Sequence, residues 1–149
     1  MTQDESVMLC PADFPDYYVD MHHPDDYKLS NTYIDPEMIY HEMPDHNRCI
    51  LRISIKIRNN IFTPVSFICD TGAPSYIYIN TLTRRLIKEK ILRDDAGTEF
   101  IYVNNRKMLV KPSPPAHPDT NIIGMMALNI FEFWIRGGTF GFDNPPKYL

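Results

Sequence analysis

Leu51, Ile53, Ile55 and Ile57 alternate with Arg52, Ser54, Lys56 and Arg58. A period of two fits a strand with one face on a core and the other toward solvent, and it does not fit a helix. Asn59-Asn60 follows, a pair that tolerates the positive φ of a tight hairpin turn. Val65–Cys69 supplies the return strand, with Pro64 near its start, where a missing N–H matters least. The hairpin delivers the chain to Asp70-Thr71-Gly72-Ala73.

The same syntax recurs from Phe100 onward. After a short apolar run, Tyr76–Ile79, a helix is predicted over Leu82–Leu92, capped by Asn80 or Thr81, with Leu82, Leu86, Ile87 and Ile91 on one face. Phe100–Val103 and Lys107–Val110 are strand-like about Asn104-Asn105. A proline-rich connector, Lys111–Thr120, leads to Ile122-Ile123-Gly124. Met125–Asn129 reads as a short helix, Ile130–Ile135 as a strand, Gly137-Gly138 as a turn and Thr139–Phe142 as a last strand. The duplicated order of strand, Asn-Asn, strand, apolar residues and glycine suggests a pseudo-twofold, mainly β fold with one or two short helices.

The first 47 residues are different. They carry eleven Asp/Glu against Lys28 alone, net −10, whereas residues 48–149 carry fourteen Lys/Arg and eight Asp/Glu, net +6. Phe14, Tyr17, Tyr18, Tyr27, Tyr33 and Tyr40 sit among Pro11, Pro15, Pro24, Pro36 and Pro44, too many aromatics for an inert acidic tail. The expectation is an arm (1–47) that docks on the basic body or a partner, followed by a folded domain (48–142) and a tail (143–149). A short helix over Pro36–Met43, with Asp35 as N-cap, is the one regular element expected in the arm.

Other classes are set aside. The longest apolar stretch, within Ile122–Leu128, is far short of a membrane span, and the acidic N-terminus does not read as a secretory signal. Cys10, Cys49 and Cys69 form no metal or disulfide framework, which makes a reducing intracellular compartment, cytoplasmic or nuclear, the expectation. His22-His23 with Asp25-Asp26 reads as a solvated polar stretch, so no metal and no cofactor is expected. The basic run Arg84, Arg85, Lys88, Lys90 and Arg93 lacks interleaved base-stacking aromatics and reads as a solvated helix face or a dock for the arm, not a nucleic-acid surface. Cys69 reads as a small packed hydrophobe, not a nucleophile.

A carboxylate at a strand end, followed by a small hydroxyl and glycine, can be held in a tight loop that backbone N–H groups approach closely. With the preceding hairpin, and with Met108-Leu109-Val110, a proline-rich loop and Asn121-Ile122-Ile123-Gly124 before a short helix, the chain resembles the retropepsin-like aspartic proteases over roughly residues 50–135. The resemblance implies a closed β-barrel and a homodimer in which each chain supplies one aspartate. Asp70 and its symmetry mate would share a proton, activate a water and cleave a peptide. Thr71 would brace the two loops across the dimer axis. Gly72 and Ala73 would permit close backbone approach, and Ile122, Ile123 and Gly124 would support the active loop. Phe131, Phe133 and Trp134 would serve as core or dimer interface. The chain departs from the family in its flap, since Arg93–Glu99 leaves room for a tight turn and little more. Two functions are therefore expected as alternatives: a homodimeric aspartic endopeptidase acting on a peptide or protein, or a catalytically silent dimerisation and scaffolding module that binds protein partners.

Overall fold

A computed structural model describes residues 23–42 and 47–149. The strands are β1 (Glu37–Glu42), β2 (Asn47–Arg58), β3 (Ile61–Cys69), β4 (Ile77–Ile79), β5 (Leu92–Arg93), β6 (Glu99–Val103), β7 (Arg106–Pro112), β8 (Ile122–Ile123), β9 (Phe133–Arg136) and β10 (Thr139–Phe142). Helix α1 (Thr81–Ile87) continues into a 3-10 turn, Lys88–Lys90, and α2 (Met125–Ile130) follows β8. The fold is mainly β.

Eight strands form one sheet in the order β1-β2-β3-β8-β4-β7-β6-β5, and β9 and β10 form a separate antiparallel pair. The central six read the same from both ends. Hairpin β2–β3 meets β8 in parallel, hairpin β6–β7 meets β4 in parallel, and β4 and β8 pair antiparallel between them. This is the duplication that the sequence suggested. The expected closed barrel is not formed by strand pairing: the order is open, with β1 at one end and a two-residue β5 at the other.

The core lies on the face carrying Leu51, Ile53, Ile55, Val65 and Phe67 from the first hairpin and Ile101, Val103, Met108 and Val110 from the second. Asn60, Asn104 and Asn105 adopt positive φ in the two turns, as the asparagine pairs predicted. Asn80 is the N-cap of α1, its side-chain oxygen accepting the Thr83 N–H at 2.8 Å. The α1 helix is shorter than predicted, and Leu82 is exposed while Thr83 and Ile87 face inward.

Two expectations, one about the arm and one about the first hairpin, are corrected. Residues 37–42 form a strand, not a helix, pairing from Glu37↔Arg52 to Glu42↔Asn47. The free edge of β2 offers a ladder of backbone partners, and that outweighs a single N-cap. The alternate face of β2 is not solvated at its middle either, although Arg58 at its end is exposed. Arg52 and Ser54 are buried, because a strap formed by residues 23–36 crosses that face. Asp26 pairs with the Arg52 Nε at 3.2 Å, and the Ser54 hydroxyl donates to the Ile34 carbonyl at 3.1 Å.

The strap also covers β3, where Ser30 exchanges backbone bonds with Phe62 and the Tyr27 N–H donates to Pro64 O at 2.9 Å. The C-terminal segment does the same for β2 beyond the end of β1. The Leu149 N–H donates to Ser54 O at 2.9 Å, and the Lys56 N–H to Leu149 O at 2.8 Å. The arm and tail thus extend the packed body beyond residues 48–142. The part of the arm before His23, with Phe14, Tyr17 and Tyr18, lies outside the described residues.

The Asp70 turn and its supports

Asp70 follows the last residue of β3, and its N–H donates to Ile123 O at 2.9 Å. The Gly72 N–H donates back to Asp70 Oδ1 at 2.9 Å, and the Ala73 N–H to Asp70 O at 3.2 Å. One residue thereby organises the turn through its N–H, carboxylate and carbonyl. Asp70 is only 2% exposed. Thr71 is exposed, Gly72 half-buried and Ala73 fully buried. Asp70 makes further interactions beyond these.

The supports predicted from sequence converge on this turn. Ile122 and Ile123 are buried between β3 and β4, and Ala73 packs with Tyr78 and Ile122. Gly124 touches the loop so closely that a Cβ there would press into the carbonyl oxygens of Ala73 and Ser75. Its N–H donates to Tyr76 O at 2.8 Å. The next two amides, of Met125 and Met126, donate to Ala73 O at 2.7 Å and Ser75 O at 3.1 Å. The opening amides of α2, which have no partner within the helix, are thus used to hold the loop.

The aromatic candidates lie elsewhere. Phe131 is buried in the chain's own core, which leaves no surface of it for a partner. Phe133 packs on Phe140 and Phe142 within the β9–β10 pair. The Trp134 indole donates to Asp143 Oδ1 at 3.0 Å and carries the Arg136 guanidinium over its ring at 4.8 Å.

Sequence reasoning missed two groups. Tyr78 is buried beside the turn, its hydroxyl accepting the Ser75 N–H at 3.0 Å. Burial pushes its phenol pKa up, the Ser75 N–H partly offsets this, and the Asp70 charge raises it further. No local signal flags Tyr78, because all three residues of β4 are buried and its period sets none of them apart. Tyr27 is the other. Its hydroxyl meets Thr83 Oγ1 at 2.9 Å and accepts from Asn80 Nδ2 at 3.0 Å and Asn121 Nδ2 at 2.9 Å. Asn121 Oδ1 in turn accepts the Asn80 N–H at 2.9 Å, joining the entry of α1 to the residue before β8.

The segment expected to replace the flap is a tight turn. Asp94 Oδ1 accepts the N–H groups of Ala96 at 3.0 Å and Thr98 at 2.9 Å, and Gly97 takes φ +84°. Glu99 just after it binds Arg84 and Arg93, which hold its carboxyl down at about 2. These two members of the basic run are therefore engaged within the body. The described acidic residues that reach the body, Asp26 and Glu37, meet Arg52 instead.

Among the described residues no cluster of three or more His, Cys, Asp or Glu is placed to hold a metal, and no helix is long and apolar enough to cross a membrane. No family model, curated protein or solved structure matches the chain.

Proposed function

We propose that this chain is one half of a retropepsin-like aspartic endopeptidase. Two copies bring their Asp70 carboxyls together, and the pair shares one proton because two adjacent carboxylates cannot both ionise readily. The ionised member takes a proton from a water that attacks the peptide carbonyl, and the protonated member supplies a proton to the tetrahedral intermediate. The observation that carries this reading is the Asp70 turn, gripped by β3, β8 and the first amides of α2. The exposed Thr71 lies at the tip of that turn, the position a brace to a second copy requires. The palindromic strand order adds support.

The test is cleavage of a diverse peptide library at mildly acidic pH. Activity is expected from the natural chain, lost in Asp70→Asn and blocked by a statine-type transition-state mimic. Cleavage that survives Asp70→Asn would remove Asp70 from the chemistry.

Two observations favour a second reading, a silent retropepsin-like module that dimerises and binds protein partners. Asp70 is 2% exposed within one chain, and the turn at Asp94–Thr98 is too short to clamp a substrate and exclude water. In that case Asp70→Asn leaves self-association and partner binding unchanged, and the natural chain, shown by sedimentation to be a dimer, cleaves nothing in the library, which separates the two readings.

A further inference from the structure

The β2–β3 ladder sets Cys49 directly opposite Cys69. Both are free thiols and both are partly exposed. Opposed residues of an antiparallel pair share one face, with Cα atoms about 4.5 or 5.5 Å apart according to the kind of pair. Both values fall within the span of about 4.4–6.8 Å that a disulfide bridges. The two cysteines continue the core face that carries Leu51 opposite Phe67 and Ile53 opposite Val65. They stand at its open end, with Tyr40 of β1 across from Cys49 and Ile123 of β8 across from Cys69.

From this register we propose that Cys49 and Cys69 are a redox modification site, oxidised by a low-molecular-weight disulfide to a single cross-strand disulfide. The Cys49 thiolate attacks one sulfur of oxidised glutathione and releases one glutathione thiolate. The Cys69 thiolate then attacks Cys49 Sγ and expels the second. The protein thiols give up two electrons and two protons, and one glutathione disulfide becomes two glutathione thiols. The product staples β2 to the residue that immediately precedes Asp70.

The surroundings set the tempo. Burial raises the Cys49 thiol to about 11, with Arg48 pulling it partly back. Cys69 is held well above the ordinary thiol range by burial and then by the neighbouring Cys49, with Asp70 adding to the rise and a Leu51 backbone bond opposing it. Arg48, Asp70 and, across the ladder, Tyr40 are the charged and titratable groups nearest the pair. Thiols this high form thiolate sparingly and leave poorly, so the bond closes slowly and opens slowly. This is a latch rather than a fast sensor.

The test uses the full chain carrying Cys10→Ser, so that only the pair remains. The protein is equilibrated across ratios of reduced to oxidised glutathione at pH 8, quenched by alkylation and mapped by mass spectrometry. The expected result is joint loss of both alkylation sites, one linked peptide joining residues 49 and 69, and a melting midpoint raised by roughly 5 °C. The closure rate should rise about tenfold per pH unit between pH 7 and 9. Adding Cys49→Ser or, separately, Cys69→Ser should leave only a glutathione adduct. The proposal fails if both thiols alkylate independently at every ratio, or if the natural pair stops at a stable glutathione adduct.

Discussion

Over Ile50–Ile55 and Val65–Ile68 the first hairpin is buried on both faces, and between Glu99 and Pro112 the second is covered on one. The two occupy equivalent places in a palindromic sheet and use the same asparagine turn. What differs is the chain outside them. The strap and the C-terminal segment lie across the outer face and edges of the first hairpin, burying Arg52 and Ser54. The second keeps Tyr102 60% exposed on its outer face, with Phe100 beside it and Lys107 over the Phe100 ring. A duplicated unit has thus been made asymmetric by its flanks, and stability should be concentrated in the sheathed half.

The buried ion pair gives the largest expected effect. The side chains of Arg52 and Asp26 are 8% and 3% exposed, so Arg52→Ala strands a carboxylate in the interior. A loss of about 3–5 kcal/mol is expected in denaturant unfolding, much of it recovered when Asp26→Leu is combined with Arg52→Met. A loss under about 1 kcal/mol would mean that the strap is only loosely seated.

Tyr27→Phe comes next. It keeps the ring but removes the hydroxyl that joins Thr83, Asn80 and Asn121. A loss of about 1–3 kcal/mol is expected, read in the same experiment.

Smaller effects belong to the open half. Arg84 and Arg93 are well exposed, so their hold on Glu99 is screened, and Glu99→Gln should cost about 0.3–1 kcal/mol at neutral pH. The Glu99 pKa falls on folding from 4.5 to about 2. Its contribution is therefore complete above pH 4.5 and fades as the pH drops toward 2. Melting curves of the natural chain and Glu99→Gln should converge across that window, and a constant gap would contradict the assignment. Tyr102→Thr, on the bare face, should change stability by less than about 0.5 kcal/mol.

The same contrast explains what was legible in the sequence. The strand through Leu51–Ile57 was readable because its own alternation encodes the core on one side, and Phe100–Val103 because a short apolar run stops at an Asn-Asn turn. The burial of Arg52 was not, because it depends on Asp26, twenty-six residues away, and a polar residue on a strand looks the same under a strap as in water. The strand at Glu37–Glu42 was missed for a related reason: its conformation is set by the open edge of β2, a tertiary feature that local capping signals cannot report.

The Asp70 turn was legible in its members. Asp70, Gly72, Ala73, Ile122, Ile123 and Gly124 come together through β3, β8 and α2. Tyr78 and Tyr27 were not, since a tyrosine hydroxyl gains its role only from the groups it meets. The aromatic cluster split because the end of α2 turns Phe131 inward, while Phe133 and Trp134 go to the β9–β10 pair.

The reading of the chain as half of an endopeptidase is tested most directly by the stoichiometry of a statine-type inhibitor, measured by calorimetry on protein of known mass in solution. A shared site built from two Asp70 residues predicts one inhibitor per two chains, with binding lost in Asp70→Asn. One inhibitor per chain, or none bound by a proven dimer, would contradict it.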